Sequence, residues 1–173
     1  MQFIHNFKIS ISEYEQNGQD NVFPKIFHCP RCHDQLIKNG FYLRNPIDLD
    51  KQYTIFIKRY RCKHCGLSIS ILPSFLLPHF QRTLKEIFQC MYDYYFMKKL
   101  ILSRCQTLFY CRRFEKNIPG IISFFRSKIN PFLKFVKKTK KKAIKLIKMI
   151  KSSPTPTFSR RYYDHLQKCF MAN

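Results

Sequence analysis

The stretch that decides the fold runs from Cys29-Pro30-Arg31-Cys32 to Cys62-Lys63-His64-Cys65-Gly66. Two C-x-x-C pairs stand there, separated by 29 residues. A C-x-x-C turn lets two thiolates reach one ion, and Gly66 suits the tight turn that follows the second pair. Four sulfurs at about 2.3 Å then complete a tetrahedron around zinc. Cys29, Cys32, Cys62 and Cys65 are therefore the expected ligands of a structural Zn²⁺. Four protein ligands leave no open position for a catalytic water, so the site reads as closed. The spacing alone leaves other readings open. A Cys₄ set also suits an iron–sulfur centre. The pairs could form disulfides or a redox motif, although Met1 to Ser12 does not read as a secretory signal and neither pair opens a βαβ unit. His28, His33 or His64, beside the thiols, could replace one of them.

Working outward, the chain between the pairs reads as strand. Leu36 to Arg44 forms one run, Asn45-Pro46 breaks it, and Asp48 to Gln52 makes a polar loop. Tyr53 to Arg61 is rich in β-branched and aromatic residues, as a strand should be. After the second pair, Leu67-Ser68-Ile69-Ser70-Ile71 alternates apolar and polar, the pattern of a half-buried strand. Knuckle, strand, strand, knuckle, strand is the order of a zinc ribbon. So small a sheet is expected to have little core, leaving much of the folding energy to the metal. Cys90, Cys105, Cys111 and Cys169 lack ligand spacing and read as small apolar fillers of helices or of a loose tail.

The segment Tyr60-Arg61-Cys62-Lys63-His64-Cys65-Gly66, continued by Leu72-Pro73-Ser74-Phe75-Leu76-Leu77-Pro78, resembles a bacterial insertion-sequence-associated family of transposase-like proteins. The family carries an upstream C-P-x-C, matched by Cys29 to Cys32. Its Y-R-C-x-x-C-G knuckle and L-P-x-F-L-L-P element are followed by a helix-turn-helix-like region. The resemblance spans roughly residues 23 to 115, and Leu67 departs from the polar residue often found after the glycine. It implies DNA binding in mobile-element biology. It does not imply strand transfer by this chain.

The second half reads as helix. Thr83 to Leu102 lacks Pro and Gly, with Thr83 and Glu86 spaced as a capping box. Leu84, Ile87, Phe88, Met91, Tyr95 and Leu102 fall near one face. A second helix is expected from Ser103, as cap, to Lys116. Its Arg104, Arg112, Arg113 and Lys116 suit a recognition helix, although an ordinary amphipathic helix with a solvated basic face has the same composition. Asn117 and Pro119 signal the start of a third helix, and Asn130-Pro131 repeats that signal. From Arg126 to Lys151 there are 11 Lys+Arg and no acids. Lys137, Lys138, Lys140, Lys141 and Lys142 are further candidate DNA contacts. Ala143, Leu146, Ile147 and Ile150 give that stretch one apolar stripe. Ser152 to Thr157 reads as a linker, and Phe158 to Asn173 as a tail.

The expected class is α+β: a small antiparallel β zinc ribbon, an all-α region and a basic C-terminal helix or tail. The expected divisions are an extension over 1–22, the ribbon over 23–78, a helix-turn-helix-like region over 79–130, and a basic helix and tail over 131–173. In 173 residues, 32 Lys+Arg face 10 Asp+Glu, a formal net charge of +22. Such an excess repels itself unless a polyanion answers it. DNA is the expected partner, with a transposase or a second copy of the chain as a further one. An anionic membrane surface is the weaker alternative, and a spanning helix is excluded because Pro73 and Pro78 cut the most apolar stretch. The expected compartment is the cytoplasm. After the ribbon, Glu86, Asp93, Glu115 and Asp164 do not form the three-carboxylate pattern of a two-metal transposase, and His79 and His165 do not form a metal-binding pair for a tyrosine nucleophile. The expected function is a zinc-ribbon DNA-binding protein related to transposases, without catalysis of its own. A complete small transposase and a metal-stabilised RNA- or protein-binding module are the alternatives.

Overall fold

The computed structural model describes residues 1–152, 155–166 and 169–171. It is α+β and divides into two compact units, Met1–Thr83 and Leu84–Asn173.

The first unit is built on one four-stranded sheet. Its strands are β1 (Gln2–His5), β2 (Leu36–Arg44), β5 (Ile55–Cys62) and β6 (Ser68–Pro73), in the order β1-β6-β5-β2. β2 and β5 pair antiparallel from Leu36↔Cys62 to Arg44↔Ile55, so the hairpin brings the two cysteine pairs to one end. The register shifts between Lys38 and Phe41. Gly40 lies in that shift at φ +64°, a backbone state that glycine adopts without strain. The expected polar loop is a small hairpin of its own, β3 (Ile47–Asp48) and β4 (Lys51–Gln52), turning on Leu49 and Asp50, both at positive φ. It anchors the end of the unit: Thr83 N–H donates to the Ile47 carbonyl at 3.0 Å, and the Thr83 hydroxyl donates to Asp48.

Residues 1–22 are part of this unit rather than an extension of it. β1 adds to β6 in parallel, Gln2↔Ser70 to His5↔Pro73, which makes the sheet mixed. Helix α1 (Ile11–Asn17) starts on a capping box in which Ser10 and Glu13 each accept the other's backbone N–H. It seats Tyr14 in the core, where the hydroxyl donates to the Phe56 carbonyl at 2.9 Å. Phe7, Phe23 and Phe75 meet the Tyr14 ring edge-on. The expectation of a nearly coreless ribbon is corrected here. Tyr14, Phe23, Ile55, Ile57, Ile69, Ile71, Leu72 and Leu76 form one buried cluster that also contains Cys29 and Cys62. The proline-rich element is a packed corner within the same unit: Leu72, Leu76 and Leu77 are fully buried, and the Arg44 guanidinium donates to the carbonyls of Leu77 and Phe80.

The second unit is helical. α2 (Leu84–Tyr92) runs into a π turn, Asp93–Met97, and stops at Lys98, whose left-handed backbone turns its N–H back to the Asp93 carbonyl. The helix therefore ends short of the expected Leu102. α3 (Arg104–Lys128) begins at Ser103, whose hydroxyl accepts from Gln106 N–H. It runs 25 residues through Pro119, where a new helix was expected. Pro119 faces solvent, while Phe114, Ile118, Ile121, Phe124 and Phe125 are buried on the other side, so packing overrides the local break. Asn130-Pro131 likewise starts no helix; α4 (Thr139–Lys151) begins eight residues beyond Pro131. Ala143, Leu146, Ile147 and Ile150 are buried in it, as their spacing predicts. α5 (Thr155–Leu166) starts within the expected linker and runs into the expected tail, where it buries Phe158 and Tyr162. Of the expected linker, Ser153 and Pro154 lie outside the described residues. Phe88, Phe125, Phe158 and Phe170 pack into an aromatic core, with Phe125 stacked on Phe158 at 5.7 Å.

Candidate metal centre

Two turns of matching design present the cysteines. In the first, Cys29 N–H donates to the Asp34 carbonyl at 2.8 Å, and His33 N–H donates back to the Cys29 carbonyl at 2.9 Å. In the second, Cys62 N–H donates to the Leu67 carbonyl at 2.9 Å, and Gly66 N–H donates back to the Cys62 carbonyl at 3.1 Å. The residue four after the first cysteine takes a left-handed backbone in both, His33 at φ +61° and Gly66 at φ +71°. The sequence marked this position with glycine in one knuckle only, so the symmetry was hidden by His33. Leu36↔Cys62, the last pair of the β2–β5 ladder, sets one knuckle beside the other.

The four sulfurs all lie within 4.8 Å of one another. Cys29 Sγ is 3.5 Å from Cys65 Sγ, and Cys32 Sγ is 3.4 Å from Cys62 Sγ. Bonds of about 2.3 Å to a central ion place tetrahedral sulfurs about 3.8 Å apart. The set is thus sized for one ion, and these separations are far longer than the roughly 2.05 Å of a disulfide. Cys29 and Cys62 are buried and Cys32 and Cys65 half-buried, so the site faces the core on one side. Among the described residues, no other group of three or more His, Cys, Asp or Glu side chains converges in this way. His28, His33 and His64 stand exposed beside the knuckles and are not among the converging groups.

The electrostatics suit cation binding. Burial alone would raise the Cys29 thiol, but N–H donation from Cys32 and Arg31, with contacts from Cys65 and Cys32, brings it down to about 6. Cys32 behaves oppositely. Asp34 N–H favours its thiolate, but burial and the neighbouring sulfurs Cys62, Cys65 and Cys29 push it up to about 12. One thiolate forms readily; further negative charge in so small a space needs a cation to compensate it.

The other cysteines are elsewhere. Cys90, Cys111 and Cys169 are buried and Cys105 is exposed. Burial raises the Cys111 thiol to about 12, as befits an inert filler.

The candidate DNA-contacting cations all belong to the helical unit. That unit has 21 Lys+Arg against 4 Asp+Glu, a net of +17, whereas Met1–Thr83 has 11 against 6, a net of +5. Arg104, Arg112 and Lys116 are exposed on α3, and Lys137, Lys138, Lys140 and Lys141 are exposed at and before the start of α4. Lys142 is half-buried. Arg113 is partly engaged, lying over the Phe109 ring and donating to the Met171 carbonyl at 3.3 Å. Composition did not reveal a groove of about 310 Å³ lined by Tyr94, Lys98, Leu100, Arg104, Leu108 and Lys140. Lys98, in its lining, is the residue at which the helix stops, and no proline or glycine marks that stop.

No helix among the described residues is long and apolar enough to cross a membrane. Comparison with curated proteins and with solved structures yields no match. A family model described as a domain of unknown function (DUF6431) matches residues 29–94, so the chain is similar to that family over a stretch that begins at the first candidate ligand and contains all four.

Proposed function

We propose that this chain is a zinc-stabilised DNA-binding protein of the transposase-associated kind, in which the four-cysteine ribbon is structural and the helical unit contacts DNA. The observation that carries the reading is the segregation of charge. The ribbon unit is close to balanced, whereas the helical unit concentrates cations and keeps most of the candidate contacts exposed. A surface of that sign attracts a phosphate backbone and gains from counterion release. The groove between Lys98, Arg104 and Lys140, with Tyr94 beside them, offers both phosphate donors and an aromatic ring.

Two further facts support the assignment. The apolar stripe of α4 is buried in its own unit, so it is not free to lie in a lipid interface. Three of the four acids of the helical unit have local roles: Glu115 accepts from the Tyr95 hydroxyl at 2.6 Å, Asp93 accepts from Gln89, and Asp164 pairs with Arg160. In this reading the chain acts without a catalytic centre of its own, alone or beside a transposase or a second copy. Zinc fits better than an iron–sulfur cluster because the sulfur tetrahedron is sized for one ion rather than for a multi-atom core.

The test is binding of the zinc-loaded protein to duplex DNA across a salt series. The expected result is an affinity that falls with log salt at about −0.9 per phosphate engaged. Binding that ignores salt, or that appears only with RNA or protein, would remove DNA as the partner. Mg²⁺-dependent cleavage or joining of DNA would assign catalysis to the chain.

A further inference from the structure

The connection between α3 and α4 is Ile129-Asn130-Pro131-Phe132-Leu133-Lys134-Phe135-Val136-Lys137-Lys138. Phe132 is 85% exposed, Ile129 58% and Val136 54%. The same unit buries Phe88, Phe114, Phe124, Phe125 and Phe170, so exposing a phenylalanine this far runs against its own packing. The connection is nevertheless braced from both sides. The Asn130 side chain accepts from Phe132 N–H at 2.9 Å. From α3, Arg126 donates through Nε and Nη2 to the Leu133 carbonyl, both at 3.2 Å. From α4, Lys145 donates to the Lys134 carbonyl at 2.8 Å and lies 4.9 Å from the Phe135 ring centre. Two cations thus hold the carbonyls just after Phe132 and brace the backbone that carries the ring. Lys134, Lys137 and Lys138 are exposed next to it, and no acid occurs from Arg126 to Lys151.

A partner for this surface must present a flat apolar face and dense negative charge together. Nucleic acid does so, since every base has a π face and every step a phosphate. We propose that this connection is a nucleic-acid contact in which Phe132 stacks on a base or wedges into a base step while Lys134, Lys137 and Lys138 follow the phosphates. The inference rests on the DNA-binding reading above and adds a contact that is not electrostatic. An aromatic wedge favours steps that unstack easily, so flexible or bulged DNA should bind better than stiff duplex.

The experiment uses the full zinc-loaded chain and two probes, an uninterrupted duplex and the same duplex with a one-base bulge, each carrying 2-aminopurine. Wild type is expected to prefer the bulged probe and to raise its fluorescence. Phe132→Ala should weaken binding to it by roughly 5- to 100-fold, abolish the fluorescence rise and leave the salt slope unchanged. Phe132→Tyr should restore both. Changing Lys134, Lys137 and Lys138 together to alanine should instead flatten the slope by about 2 to 3. Equal affinity and fluorescence for wild type and Phe132→Ala, with DNA binding intact, would overturn this proposal alone. No DNA binding by wild type would overturn the reading beneath it. A loss in Phe132→Ala confined to phosphatidylserine vesicles would assign the ring to lipid and reject the proposal. Phe132 is exposed, so its removal should leave the circular dichroism spectrum intact.

Discussion

The two units put their chemistry in opposite places. In Met1–Thr83 the sulfurs that could hold a metal converge at one end of a sheet and merge with its apolar core. In Leu84–Asn173 the apolar residues are spent on an aromatic core, and the candidate contacts stand mostly in solvent. A buried site needs fixed spacing, because every ligand must reach one point. An exposed basic surface needs only charge, so many sequences satisfy it. The ligands should therefore be intolerant of change, whereas the surface cations should act as a sum.

The largest effect is expected from Cys62→Ser. It should abolish stoichiometric metal binding and destabilise the ribbon unit by several kcal/mol, since metal binding and folding are coupled. The helical circular dichroism signal should survive, because the second unit has its own core. Retained metal stoichiometry, or loss of all structure at once, would break the proposed division of labour. Next comes the combined Lys137, Lys138, Lys140, Lys141 and Lys142 to alanine variant. It should leave thermal stability nearly unchanged while lowering DNA affinity and flattening its salt dependence by up to about 0.9 per lost phosphate contact. An unaltered slope would show that these lysines are bystanders.

A smaller effect is expected where the helices meet. A Cβ placed on Gly120 would lie 2.6 Å from the Tyr162 hydroxyl, so Gly120→Ala should cost about 1–3 kcal/mol by denaturant unfolding. That hydroxyl is buried with no hydrogen-bond partner among the described residues. Tyr162→Phe should therefore be close to neutral and should relieve part of the Gly120→Ala loss. Strictly additive losses would mean that the two groups do not meet. The weakest effects are expected at the turns of the two knuckles. Gly66→Ala should lose about 1 kcal/mol, whereas His33→Gly should be neutral or gain a few tenths, since both positions have positive φ and only one already has glycine. Opposite signs would show that the turns are not equivalent.

Much of the ribbon was legible in the sequence because its signals are local. The C-x-x-C spacing identified the four thiols, the run ended by Asn45-Pro46 identified β2, the β-branched and aromatic run identified β5, and apolar–polar alternation identified β6. The first strand was not legible: Gln2–His5 is four residues long, and its partner lies far along the chain at Ser70–Pro73. With it went the aromatic core around Tyr14, and so the expectation that the ribbon leans mainly on metal. In the helical unit the apolar spacing of α2 and α4 predicted their buried faces. Helix ends fared worse. Pro119 looked like a start but is accommodated on a solvent-facing side, and the stop at Lys98 rests on a non-glycine left-handed residue. Local punctuation yields to tertiary packing in the first case and is absent in the second. The basic candidates were legible as composition, but the groove at Lys98 and the braced Phe132 required the fold.

The most direct test is metal analysis of the purified 173-residue chain with X-ray absorption at the bound metal's edge. The account predicts one zinc per chain, bonded to four sulfurs at about 2.3 Å. Protein that is folded yet metal-free, or a metal shell of nitrogen and oxygen, would contradict it.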